Sequence, residues 1–191
     1  FWRETRSQYN QDILALNANN FKRNGYYVEI GVHDGQNGNN TALLDQKYGW
    51  EGVCIDPFMK NMENRSCTQI HSALGKTPGT ANFRGLGSGH GGLEDITTSP
   101  NHNKMWYTKM QKMPVSVVKV ETPSVVLNRA NVPRVIDYLS LDIEGAEMDV
   151  LESFPFDKHC VRFMTVETNL DKDKEREVID LLQKHIQQLF L

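Results

Sequence analysis

Residues 26–41 read YYVEIGVHDGQNGNNT, an apolar run that leads directly into a turn with three of the chain's 14 glycines. The run YYVEI predicts a buried β-strand, and the residues from Thr41 onward, TALLDQKY, predict a helix. A strand, a glycine-rich turn and a helix in this order are typical of a backbone that bends around a small ligand. This stretch therefore predicts an α/β fold with a ligand site at the turn.

The rest of the chain continues this alternation of short β-rich runs and helical patterns, which is typical of an open, mainly parallel sheet with helices on both faces. Further strands are predicted at residues 52–56, 68–74, 115–120, 135–143 and 161–168. Helices are predicted at residues 12–21, 41–48, 144–154 and 172–189, with another starting at Thr122-Pro123. Residues 75–113, rich in Gly, Pro and Thr, are predicted to form a loop-rich insertion. In such sheets, ligands bind at the carboxyl ends of the strands.

Composition and charge narrow the class of protein. With 191 residues, 39% of them hydrophobic and 24% charged, the chain is predicted to form one domain over residues 1–191. A net charge of −3 gives no basic field, which argues against a nucleic-acid partner. No apolar stretch approaches the roughly 20 residues that a membrane span needs. The cytoplasm is the expected location, and we expect incomplete termini because the chain begins with Phe1.

The cysteines give no sign of a cross-linked or metal-bound framework. Cys54, Cys67 and Cys160 are too few and too scattered to predict a disulfide framework or a zinc site. Cys54 lies in the apolar run GVCID and is expected to be a buried thiol.

The turn after the first strand does not fit a dinucleotide. That fingerprint places glycine at its first, third and sixth positions, whereas a count from Gly31 finds His33 and Gln36 at the third and sixth. The missing central glycine matters because the backbone approaches a pyrophosphate closely there. A ligand without a pyrophosphate tolerates a side chain at that point.

Two acids indicate a different nucleotide. Glu29 precedes the turn, where a carboxylate suits a ligand with an ammonium group, and Asp56 ends the second strand, where it can accept both ribose hydroxyls. S-Adenosylmethionine carries both groups. The alternative is that the turn binds no ligand and that Asp56 caps a turn.

Five blocks of sequence resemble, in order, the FkbM family of S-adenosylmethionine-dependent methyltransferases. They read VEIGVHDGQNGNNT, GWEGVCIDP, NRSCTQIHSALG, DYLSLDIEGAEMDVLESF and VETN, with SQYNQD upstream. The resemblance covers residues 7–169 and implies a class I (Rossmann-like) methyltransferase fold. These methyltransferases normally end in an antiparallel strand pair, for which HIQQLFL is too short. We therefore expect a truncated or differently completed sheet edge.

The resemblance also assigns residues to the parts of the cofactor. It implies that three residues border the methionyl part of the cofactor: Glu29, Gly31 and Gly35. The residues that shape the same turn would be Asp34, Asn40 and Thr41. Asp56 would hold the ribose, although family members often carry Glu there, and Ser72 and Ala73 would border the adenine.

The chemistry is expected at LDIEGAE, where the predicted strand over residues 135–143 ends at the ligand-binding edge. Asp142 and Glu144 share a face of an extended segment, and either could orient or deprotonate a methyl acceptor. Glu147 is the weaker candidate because an acid in a first helical turn is favoured by the helix dipole. Glu167, at the end of the next strand, could converge on the same pocket. His90, within GLGSGHGG, is a second candidate base or a loop residue without a role.

A metal ion is possible at these strand ends but is not predicted. Three carboxylates could hold Mg²⁺ or Ca²⁺, yet the acids have no diagnostic metal-binding spacing.

Four functions follow from these residues. The leading hypothesis is O-methylation of a small molecule or a glycan, and the second is N-methylation of a peptide amide. The third is a non-catalytic domain that binds partners, as eukaryotic Star-like proteins of this family are thought to do. A nicotinamide-dependent dehydrogenase is the weakest because two fingerprint glycines are absent.

Overall fold

A computed structural model of the protein describes residues 4–85, 91–94 and 112–188. The described strands are β1 (Tyr26–Ile30), β2 (Glu51–Ile55), β3 (Thr68–Ile70), β4 (Ala73–Leu74), β5 (Gly79–Arg84), β6 (Gly92–Leu93), β7 (Val115–Glu121), β8 (Val135–Ile136), β9 (Tyr138–Leu141), β10 (Cys160–Val161) and β11 (Met164–Val166). The described helices are α1 (Gln11–Ala18), α2 (Ala42–Tyr48), α3 (Pro123–Arg129), α4 (Glu147–Ser153) and α5 (Lys172–Gln188).

The main sheet has five parallel strands in the order β11-β9-β1-β2-β3. Strand β9 is buried at all four of its residues, as expected for a central strand with both faces covered. Because the strands are parallel, their carboxyl ends meet at one edge of the sheet. The predicted mainly parallel α/β architecture is confirmed.

The predicted strand over residues 135–143 is divided into β8 and β9 at Asp137. Its Oδ2 accepts hydrogen bonds from the Tyr26 backbone N–H, at 2.9 Å, and from Lys22 Nζ, at 2.8 Å. The side chain of this buried acid thus accepts the Tyr26 N–H in place of a backbone contact between neighbouring strands. The predicted strand over residues 68–74 is also divided, into β3 in the main sheet and β4 in the second sheet.

A second sheet of four strands has the order β4-β7-β5-β6. Strand β5 runs antiparallel to β7 through six residue pairs. Both β5 and β6 lie in the predicted loop-rich insertion, so that prediction is wrong for this part of it. The sequence GTANFR has little apolar periodicity, and its strand state depends on pairing with a strand more than 30 residues away.

Helices cover both faces of the main sheet, as predicted. One core packs α3, α4 and α5 against the strands and includes Leu127, Leu151 and Val178. The other packs α1 and α2 against the opposite face and includes Leu16 and Leu44. Among the described helices, none is long and apolar enough to cross a bilayer.

Cys54 and Cys67 form a disulfide, so the prediction of a buried thiol at Cys54 is wrong. Strands β2 and β3 are neighbours in the sheet, and Cys67, the residue before β3, has its Cα 5.9 Å from the Cα of Cys54 on β2. The spacing of 13 residues carries no sequence signal of this contact. Cys160 is a free, exposed cysteine.

Candidate functional site

A cavity of about 320 Å³ opens at the carboxyl edge of the main sheet, where β1, β2 and β9 end. Its volume lies at the lower end of the range of small-molecule sites, about 300–1,000 Å³. The predicted site residues in its lining are Glu29, Gly31, Asn40, Asp56, Ser72, Ala73, Asp142 and Glu144. The fold thus brings together residues that are more than 100 positions apart in the sequence.

Gly31 begins the turn after β1 with a positive φ of 88°. A β-carbon at this position would collide with the backbone oxygen of Asp142, which follows β9. The two strand ends approach each other so closely that only glycine fits between them. The fold itself therefore requires this glycine.

Glu29 lies at the base of the turn with 1% of its surface exposed. Its carboxylate accepts hydrogen bonds from Thr41 Oγ1 at 2.7 Å, the Asn40 N–H at 3.1 Å and Asn39 Nδ2 at 3.2 Å. Burial raises the pKa of Glu29, while the Arg65 guanidinium and these hydrogen bonds act in the opposite direction. The carboxyl group holds the returning end of the turn against β1.

Asp34 and Gly35 shape the turn without lining the cavity. Asp34 Oδ1 accepts hydrogen bonds from the backbone N–H groups of Gln36 and Asn37. Burial acts to raise the pKa of Asp34, but these backbone donors and the Asn61 amide lower it to about 2. Gly35 packs against the loop after β2, where a β-carbon would lie 2.8 Å from the Asn61 oxygen. Thr41 also stays outside the lining.

Arg65 is a central residue of the site that sequence analysis missed. Its fully buried guanidinium donates to Thr41 Oγ1 at 2.6 Å, to Asp45 Oδ2 at 2.7 Å, and to Asn39 Oδ1 and the Gly35 oxygen at 3.0 Å. One cation therefore joins both ends of the glycine turn to helix α2. A single arginine in the polar stretch ENRSC gives no sequence signal of such burial.

Asp56 connects the turn after β2 to the turn after β1. Its Oδ2 accepts the His33 N–H at 2.9 Å, and its Oδ1 accepts the Phe58 N–H at 2.6 Å. Each carboxylate oxygen has a second lone pair that can accept a further donor from the cavity. The carboxylate is thus fixed in orientation while it retains binding capacity.

An aromatic pair borders the cavity on the side of the second sheet. The rings of Phe58 and Phe83 meet edge to face, with centroids 5.4 Å apart, and both residues line the cavity with Ser72 and Ala73. Neither phenylalanine was predicted as a site residue, and Phe83 belongs to the unpredicted strand β5. A flat apolar ligand suits this wall.

Three carboxyl groups converge at the ends of β9 and β11. One oxygen each of Asp142, Glu144 and Glu167 lies within 4.8 Å of the others. Burial and the neighbouring carboxyls raise the pKa of Glu144 to about 7, and the same causes raise the pKa of Glu167. Near neutral pH this cluster can both hold and accept protons.

Glu147 has a different environment from this cluster. It is fully buried and accepts hydrogen bonds from the backbone N–H groups of Ile143 and Gly145, and Lys174 Nζ lies 2.6 Å from its Oε2. These contacts hold the loop between β9 and α4, so Glu147 shapes the backbone on which Glu144 lies.

The cluster Asp142, Glu144 and Glu167 also offers three oxygen ligands of the kind that Mg²⁺ and Ca²⁺ prefer. The absence of a bound metal stays a prediction.

In the cavity wall, the buried Asn40 side chain has an oxygen without a hydrogen-bond partner in the described part of the chain. Asn40 is 7% exposed, and its Nδ2 donates to Ser140 Oγ at 3.0 Å. Its Oδ1 accepts no hydrogen bond from any described group. A buried acceptor of this kind fits a ligand that carries an N–H or O–H donor. The remaining predicted site residue, His90, lies outside the described residues.

Comparison with known proteins supplies one match. A family model described as "Methyltransferase FkbM domain" matches residues 29–189, which includes the cavity turn and both acids at the end of β9. Comparisons with curated proteins and with solved structures give no match.

Proposed function

The chain belongs to the FkbM methyltransferase family, and on that premise we propose that it is an S-adenosylmethionine-dependent methyltransferase acting on a hydroxyl group of a small molecule or a glycan. The observation that carries the proposal is the convergence of Asp56, Asp142 and Glu144 on one cavity, with Glu167 beside the latter two acids. The sheet order and the position of this cavity support a class I fold, in which ligands bind at the carboxyl ends of the strands.

The residues of the cavity fit the chemistry of this cofactor. Asp56 can accept two ribose hydroxyls, Phe58 and Phe83 offer an apolar wall for an adenine, and the unpartnered Asn40 Oδ1 can accept an ammonium N–H. The turn lacks the free glycine backbone that a pyrophosphate requires, since His33 stands at the central position. When bound, the cofactor supplies an electrophilic methyl group.

The carboxyl cluster is suited to an acceptor that must lose a proton. With a pKa of about 7, Glu144 is partly ionised near neutral pH and can take a proton from an acceptor hydroxyl. The Asp142 backbone lies against Gly31, and the Asp142 side chain contributes an oxygen that can orient the acceptor. Because all three acids of the cluster are present, we disfavour the alternative of a non-catalytic domain that only binds partners.

The experiment that tests the proposal is calorimetric titration with S-adenosylhomocysteine and, separately, with NAD. We expect saturable binding of S-adenosylhomocysteine at one site and no binding of NAD. Binding of NAD alone would support the dehydrogenase alternative, and no heat with S-adenosylhomocysteine would overturn the proposed cofactor.

Replacement of Asp56 tests the ribose contact. Asp56→Ala is expected to weaken S-adenosylhomocysteine binding by about 2–3 kcal/mol, because two charge-assisted hydrogen bonds are lost. Asp56→Asn keeps the shape of the side chain and one acceptor oxygen, so an intermediate loss of affinity would measure the contribution of the negative charge. Asp157→Ala removes an exposed acid outside the cavity and serves as the control. Unchanged affinity in a folded Asp56→Ala protein would remove the ribose assignment.

The cytoplasmic location expected from the sequence stays a prediction. The Cys54–Cys67 disulfide weighs against it because disulfides are rare in that compartment.

A further inference from the structure

A short segment before α1, residues 5–8, lies outside the residues that the family model matches. It is fixed by Asp12, which is 0% exposed. The Asp12 carboxylate accepts hydrogen bonds from Thr5 Oγ1 at 2.6 Å, the Arg6 N–H at 2.8 Å and Ser7 Oγ at 2.8 Å. One buried acid thus sets the path of three consecutive residues.

That path crosses the glycine turn. Ser7 forms a parallel bridge with Gly38, and Arg6 reaches Gln36 across the turn at 3.5 Å. The next residue, Gln8, lines the cavity together with Gly38 and Asn39. The segment therefore contributes to the cavity wall at the turn after β1.

We propose that Gln8 binds the amino-acid end of the cofactor, a role that rests on the proposed function. Its primary amide offers both donors and an acceptor. That pairing is complementary to a group that carries a carboxylate and an ammonium ion together, as the methionyl part does. The proposed function assigns the nucleoside end to Asp56 and Phe58, which leaves the amino-acid part for Gln8 at the turn after β1. Asp12 positions Gln8 and does not touch the ligand.

The test compares two ligands that differ only at this end. S-Adenosylhomocysteine carries the amino-acid group, whereas 5′-methylthioadenosine has a methyl group in its place. Gln8→Ala is expected to weaken S-adenosylhomocysteine binding about tenfold, the scale of a hydrogen bond to a charged group. Its affinity for 5′-methylthioadenosine should equal that of the wild type.

The neighbouring Tyr9 supplies the matched control. It is 75% exposed and lies outside the cavity lining, so Tyr9→Ala should change neither affinity. Circular dichroism and thermal melting verify that each variant is folded, which we expect because both side chains are at the surface.

The outcomes separate this inference from the proposed function. If the wild-type protein binds neither ligand, the proposed function fails. If the wild type binds S-adenosylhomocysteine and Gln8→Ala binds it equally well, the role of Gln8 is overturned. An equal loss for both ligands would also overturn it, because Gln8 would then act on the nucleoside or on the fold.

Discussion

At the scale of single residues, Gly31 and Gly38 share a positive φ but differ in their surroundings. A β-carbon at Gly31 would collide with the Asp142 backbone, whereas one at Gly38 meets nothing within 4 Å. Gly31→Ala is expected to lower the free energy of unfolding by about 3 kcal/mol or more, because strain and overpacking add together. Gly38→Ala should cost about 1 kcal/mol, from backbone conformation alone.

Urea denaturation of the two glycine variants measures this difference. Equal midpoints for Gly31→Ala and Gly38→Ala would show that the approach of the two strand ends is not as close as described.

Glu144 gives a prediction about pH. Its raised pKa, about 7, means that it is protonated and inactive as a base in acid, so turnover should rise as the pH increases through about 7. On a verified acceptor, Glu144→Gln should lose this rise and lower turnover by about 100-fold or more. Affinity for S-adenosylhomocysteine should be retained.

Glu152→Gln is the control for this experiment, because Glu152 is an exposed acid on α4 that pairs with Lys76. Full turnover in Glu144→Gln, with the pH dependence intact, would place the base elsewhere and make His90 the next candidate.

At the scale of elements, the Cys54–Cys67 disulfide joins β2 to the residue before β3. The loop that it closes includes Asp56, Phe58 and Arg65, which line the cavity or hold its turn. For a loop of this length, reduction should lower the free energy of unfolding by about 3 kcal/mol.

Urea denaturation with and without dithiothreitol tests the contribution of the disulfide. The double variant Cys54→Ala/Cys67→Ala should not respond to the reductant, whereas Cys160→Ala should respond as the wild type does. A wild-type midpoint that dithiothreitol leaves unchanged would contradict the predicted stabilisation.

Elements with strong local signals could be predicted from the sequence. YYVEI matches β1 residue for residue, because a short run rich in aromatic and β-branched residues, bounded by Gly25 and Gly31, favours a strand. Strand β5 could not be predicted, because GTANFR becomes a strand only through pairing with β7.

The same limit applies to the site. The residue types of Asp56, Asp142 and Glu144 indicated chemistry, and the structure places all three around one cavity. The roles of Arg65, Phe83 and Gln8 depend on contacts with residues distant in the sequence. A sequence pattern within one segment does not contain that information.

At the scale of the whole molecule, two cores on opposite faces of one sheet fix the ends of β1, β2 and β9 relative to each other. The cavity therefore has a shape set by the fold, and both acids and aromatic rings line it. The proposed function places S-adenosylmethionine in this cavity with its ribose at Asp56.

A crystal structure of the protein with S-adenosylhomocysteine would show this position. We expect ribose hydroxyls within hydrogen-bond distance of the Asp56 carboxylate, adenine beside Phe58 and Phe83, and sulfur facing Asp142 and Glu144. Electron density for the ligand at another surface, or with the ribose away from Asp56, would contradict it.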